Sequence, residues 1–175
     1  SYIFGAQKGA DEFMIKELDD NLRYYGNLIS NYTKKDISNI LGSGAAGGLG
    51  AGLIAFCNAN IEPGIDKILD ITKIDNYLSS ADLVITGEGK IDGQSKYGKV
   101  PVGVARKAHK YNVPVIAIVG SVGKGAEEVF AHGIDVIVDI INRPMTLDEA
   151  MENAPMLIEA ASEAVMRMMK LSRRL

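Results

Sequence analysis

The 175-residue sequence has no tryptophan, one cysteine, two histidines and five prolines, and aromatic residues make up only 6% of it. Each shortage closes a class of explanation. A single cysteine, Cys57, cannot form an internal disulfide, and its place in the apolar run after Leu53 predicts a buried, reduced thiol with no catalytic duty. His109, on the polar side of a predicted helix, and His132, before Gly133, read as surface or capping residues, and no His/Cys/Asp cluster has the spacing of a zinc site. A basic excess is missing too. The net charge is -3 and the pI is near 5.4, so the clustered Lys and Arg that drive nucleic-acid binding are absent and nucleic acid is excluded as a partner. The longest stretch without a polar side chain, Gly44 to Cys57, is glycine-rich and short of the ~20 residues that span a bilayer. No charged and apolar leader opens the chain, and the expectation is a cytoplasmic protein with no membrane partner. The abrupt start at Ser1-Tyr2-Ile3-Phe4 lacks the polar lead-in common at natural termini and reads as that of a fragment.

What remains is ordinary globular material, 47% hydrophobic and 23% charged, enough for one or two compact domains. Residues 11–30 carry apolar side chains at helical spacing behind Asp11, which can cap the first turn. A glycine cluster from Gly42 runs into a helix of small residues expected to be buried. Short helical pieces are predicted over 65–71 and 75–80. The texture then changes. Leu83-Val84-Ile85-Thr86, Val115 to Val119 and Val136-Ile137-Val138 are short β-branched runs separated by predicted helices over 101–111 and 126–131. This is the pattern of βαβ units and of a parallel sheet buried on both faces. Thr146-Leu147-Asp148-Glu149 is a capping box opening a last helical region to about Met169, with a break expected near Pro155.

Three glycine-bearing loops are candidates for chemistry. The first, Thr86 to Ser95, follows directly on a predicted strand, where ligands of open α/β sheets bind. It packs Glu88 and Asp92 around Lys90, flanked by glycines. Such a pair can hold Mg²⁺ or accept a hydroxyl proton; a solvated polar loop is the alternative. The second, Gly42-Ser43-Gly44-Ala45-Ala46-Gly47, matches the dinucleotide fingerprint in spacing, with Glu62 at about the offset of the ribose-binding acid, but no strand precedes it and Glu62 precedes Pro63-Gly64. Its backbone N–H groups can still receive an anion. The third, Gly120 to Gly125, is not a P-loop: two residues separate Gly120 from Gly123 and Gly125 follows Lys124. Lys96 and Lys99 can each reach a phosphate.

Four segments, Phe4 to Ala10, Gly44 to Gly50, Thr86 to Ser95 with Gly98-Lys99, and Pro144-Met145-Thr146-Leu147, resemble in order the motifs of the bacterial glycerate kinase family. The resemblance extends along essentially the whole chain but corresponds to about the C-terminal half of a family member. It implies an α/β fold: a Rossmann-like parallel sheet with helices on both faces, completed here by residues 82–175, and part of an inserted second α/β domain, residues 1–81. It implies ATP with Mg²⁺ as the donor system and D-glycerate as acceptor, giving 2-phosphoglycerate or 3-phosphoglycerate, with the N-terminal half of the same protein as the missing partner. A homo-oligomer is left open. Carried over, Glu88, Asp92 and Lys99 become the catalytic residues, Glu88 and Asp92 also the metal ligands. Gly44, Gly47, Gly48, Gly87, Gly89, Lys90, Gln94 and Ser95 become the substrate and phosphate contacts. The competing reading is a non-catalytic module that binds a small anion on the same glycines, which gains nothing from two carboxylates at its mouth.

Overall fold

The computed structural model describes residues 1–172, which form two compact units dividing between Glu62 and Pro63. The first unit is helical. Its α1 (Glu12–Thr33) is capped by Asp11, whose Oδ1 accepts from the Met14 N–H at 2.8 Å, as the sequence predicts. Residues Ile29, Ile37, Ala51 and Ile54 form a small core between α1 and α2 (Ala45–Cys57). Two expectations fail here. The glycine-led α2 is not a buried helix: it buries only Gly50, Ala51 and Ile54, leaving Leu49, Leu53 and Phe56 exposed. Cys57, at its last position, is exposed as well. The cause is that a single neighbouring helix covers one stripe of α2 and leaves the rest without a partner in this unit.

The second unit contains α3 (Gly64–Ile71), α4 (Asp75–Leu78), β1 (Val84–Glu88), α5 (Val100–His109), β2 (Val115–Val119), β3 (Val136–Asp139), α6 (Leu147–Glu152) and α7 (Ala154–Ser172). All three strands are parallel in the order β1-β2-β3. The crossover expected over 126–131 is present as a 3-10 helix, Ala126–His132. The β-branched runs explain the sheet: alternate side chains of β2 serve opposite faces. Val115, Ala117 and Val119 join Val102, Ala105 and Ala108 of α5 with Val129 and Ile134 in one core. Ile118 enters the other, with Ile140 and Leu157 of α7. Helices therefore lie on both faces of a parallel α/β sheet. His109 and His132 are exposed. The break near Pro155 falls at Asn153, between α6 and α7.

The compact unit begins earlier than the division expected at Asp82. Leu78 belongs to the α5 core and Ile74 and Ala81 pack against it, while Lys107 of α5 donates to Asp70 at 2.8 Å and Asp75 at 2.9 Å and Arg106 pairs with Asp66. These ties place 63–81 with the sheet. One strand also departs from burial on both faces. β1 alternates half-buried and exposed positions, and Ile85 is 46% exposed, because α7 packs on β2 and β3 but leaves the Ile85 face of β1 open. Truncating Ile134, 2% exposed in the main core, to Ala is expected to cost about 2–5 kcal/mol. Ile85→Ala is expected to cost less than half as much; equal shifts in urea midpoint would contradict the open face.

Candidate functional site

The candidate site grows out of the pairing of β1 with β2. Their register runs to Glu88 opposite Val119 and does not stop at the strand ends. The Gly120 N–H donates to the Glu88 carbonyl at 3.1 Å, Ile91 N–H to Ser121 at 3.0 Å, Gly123 N–H to Ile91 at 2.7 Å, and Gly93 N–H to Lys124 at 3.1 Å. The acidic loop and the third glycine loop are thus one double-stranded extension of the sheet. Such close approach excludes side chains: a Cβ on Gly120 would sit 2.6 Å from the Gly89 carbonyl oxygen. Ile91, wholly buried, anchors the extension in the core.

Within this frame the predicted residues part company. Glu88 is half-buried, lines a cavity at the strand ends and makes no side-chain hydrogen bond or ion pair among the described residues. Asp92 turns inward to its own loop: Oδ1 accepts from the Gln94 N–H at 3.1 Å and Oδ2 lies 3.8 Å from Lys90 Nζ. It does not line that cavity. Ser95 is fully buried and its Oγ accepts from the Asp92 N–H at 3.1 Å, so it shapes the loop. Gln94 and Lys90 are exposed. Lys99, the residue before α5, donates to the Lys90 carbonyl at 3.3 Å and holds its ammonium beside the acidic loop. Lys96 is drawn away to Glu128, which raises its pKa.

The cavity, of about 890 Å³, opens at the carboxyl ends of β1 and β2. Gly87 and Gly89 line it with Glu88, as do Thr86, Gly120, Ser121 and, from the start of α6, Met145, Thr146 and Leu147. Ser121 and Thr146 were visible in the sequence only as a loop hydroxyl after a strand and as a helix cap. No group of three or more His, Cys, Asp or Glu that could hold a metal occurs among the described residues.

In the helical unit the Gly44 to Gly50 run is bent, not straight. Ala46, Gly47 and Gly48 have φ of 50°, 67° and 90°, left-handed values that glycine adopts without strain. As the missing βαβ context implies, no strand precedes the run. Gly44 and Gly48 line a second hollow, of about 250 Å³, with Asp19, Arg23 and Asn27 of α1. Those three polar residues were hidden in the sequence among the solvent-facing positions of an amphipathic helix. Arg23 bonds to Asp19 at 3.0 Å and Asp20 at 3.1 Å.

A parallel sheet whose strand-end loops frame an unpaired carboxylate and a cavity is the form of an α/β small-molecule-binding protein. The chain belongs to the glycerate kinase family, whose model matches residues 1–170. It is 49% identical over 163 residues to a glycerate kinase of Halalkalibacterium halodurans, covering 93% of this chain and 43% of that protein. With the glycerate 2-kinase of Escherichia coli K12 it shares 46% identity over 154 residues, covering 88% of this chain and 40% of the relative. A crystal structure from Salmonella typhimurium LT2, provisionally described as glycerate kinase 2, superposes with a TM-score of 0.69 at 42% identity over 99% of this chain and 44% of that one. The match extends along nearly the whole of this chain, which spans less than half the length of these relatives.

The cavity wall carries its own pH dependence. Thr146 caps α6 in a complete capping box: its N–H donates to the Glu149 carboxylate at 2.8 Å and its Oγ1 accepts from the Glu149 N–H at 3.3 Å. The Thr146 backbone bond holds the Glu149 carboxyl below the ordinary glutamate range. Its stabilisation is complete above that range, near ~4.3, and is lost as the pH falls through the lowered value. The stability difference between the unaltered protein and Glu149→Gln should therefore shrink between about pH 5 and pH 3; a constant difference in denaturation midpoints would contradict the cap.

Proposed function

We propose that this chain is part of an ATP-dependent kinase that transfers the γ-phosphoryl group to D-glycerate. The observation that carries the reading is Glu88, an unpaired carboxylate at the carboxyl end of a parallel strand in a member of the glycerate kinase family. Two relatives of this chain are named as kinases of glycerate, one of them as a 2-kinase, which favours 2-phosphoglycerate over 3-phosphoglycerate as the product.

Phosphoryl transfer asks a protein mainly for alignment and charge neutralisation. In the reaction the glycerate hydroxyl oxygen forms a bond to the γ-phosphorus, the bond from that phosphorus to the bridging oxygen breaks, and ADP leaves. The hydroxyl proton passes to a carboxylate, for which Glu88 is the better placed because no cation or N–H already occupies its oxygens. Asp92, fixed by Gln94 and Lys90, is suited to orienting the loop and to ligation from its outer face. Lys99 contributes a positive charge for an anionic group, and the glycine run 44–50 offers backbone N–H groups for a carboxylate or phosphate. The hard carboxylate oxygens of Asp92 suit Mg²⁺, an ion that keeps waters and nucleotide phosphates in its shell and takes few protein ligands. When bound, Mg²⁺ would offset the charge of those phosphates. The unit that begins at Pro63 would supply this chain's share of the Rossmann-like domain, and residues 1–62 its share of the inserted one.

ADP release measured with ATP, Mg²⁺ and D-glycerate, using the chain together with the remainder of the family-length protein, tests the reading. Turnover is expected, and Glu88→Gln should lower it by about 100-fold or more. A folded protein with no turnover on D-glycerate would sink the assignment.

A further inference from the structure

The cavity at the ends of β1 and β2 has largely apolar walls that suit neither a phosphate nor glycerate, and the geometry points to it as the seat of the purine ring of the nucleotide. This inference rests on the kinase reading and extends it to a ligand position. Its lining is largely apolar: Ile85, Ile118, Met145, Leu147, Met151 and Ile158 enclose most of it, and Glu88 is the only charged residue that lines it among the described residues. A small polyhydroxy acid would find one like charge and no cation there. A flat neutral ring with apolar faces fits both the chemistry and the volume of about 890 Å³, which lies within the usual range of small-molecule sites. Two of the walls are methionines, whose polarisable thioethers pack well against aromatic rings.

The polar groups present suit a base and its ribose. Ser121 lines the cavity, and its hydroxyl forms no side-chain hydrogen bond among the described residues. Thr146, by contrast, is committed to Glu149. Ser121 and Gly120 stand at the strand end beside Glu88, so a ring lying between β1 and α6 directs its phosphates toward the acidic loop. The arrangement also gives a task to Pro144-Met145-Thr146-Leu147, a segment of the family resemblance to which the sequence assigned no chemistry. Three of its four residues line the cavity.

Photolabelling with 8-azidoadenosine triphosphate and Mg²⁺, with adducts located by mass spectrometry, tests this in the same preparation used for ADP release. Adducts on Met145, Leu147 or Met151 that excess ATP suppresses at concentrations where inorganic tripolyphosphate does not are the expected result. Filling the space with Ala150→Phe should reduce them at least about tenfold while the KM for glycerate stays unchanged. Should that variant not fold, the adduct map of the unaltered protein still decides. ATP-protected adducts elsewhere, or none in a protein that turns over glycerate, would overturn the purine site and leave the kinase reading standing. Absence of both turnover and ATP-protected labelling would overturn both.

Discussion

The candidate site depends on one constraint: hydrogen bonding between β1 and β2 continues past the strands into their loops. Glu88, Ile91 and Gly93 are tied to Gly120, Ser121, Gly123 and Lys124 in a near-regular parallel ladder. A loop held this way loses its conformational freedom on folding, not on binding, so its carboxylates need not be ordered by the ligand. The glycines are part of the same constraint, because the two backbones lie too close for a side chain at Gly120. What reads in the sequence as three separate glycine-rich loops is, for two of them, one piece of structure.

That constraint also separates two carboxylates that the sequence presents as a pair. Asp92 and Ser95 close a tight turn through each other's backbone and side-chain atoms, so their polarity is spent largely on shaping the loop. Glu88, the last residue of the strand, is left without a partner and lines the cavity. An unpaired carboxylate at the end of a parallel strand costs folding energy if it is fully buried, and Glu88 is half-buried, not enclosed. The uneven division leaves the two acids in different surroundings, Asp92 bonded within its loop and Glu88 free of partners among the described residues.

Much of the fold was legible because β-branched runs and helix caps are local signals. The three strands, the Asp11 and Thr146 caps and the crossover helix follow from residues within a few positions of one another. Burial was less legible. The alternation of β2 is consistent with two covered faces, but nothing within Val84 to Glu88 says that Ile85 lacks a covering helix, and nothing within Leu53 to Cys57 says that only one stripe of α2 finds a neighbour. Those outcomes depend on which elements are available to pack. The same limit applies to the site: Glu88 and the glycines announce themselves by position after a strand. Ser121 and the Met145 to Leu147 wall become part of a site only when β2 and α6 are brought to the end of β1.

Native-state amide hydrogen exchange, read residue by residue, reaches the ladder most directly. If the loops are an extension of the sheet, the N–H groups of Ile91, Gly93, Gly120 and Gly123 exchange slowly and with protection close to that of β2 itself. Exchange of these four amides at the rate of an unstructured chain, while β2 remains protected, would show that the acidic loop is not held by its neighbour and would contradict this account of the site.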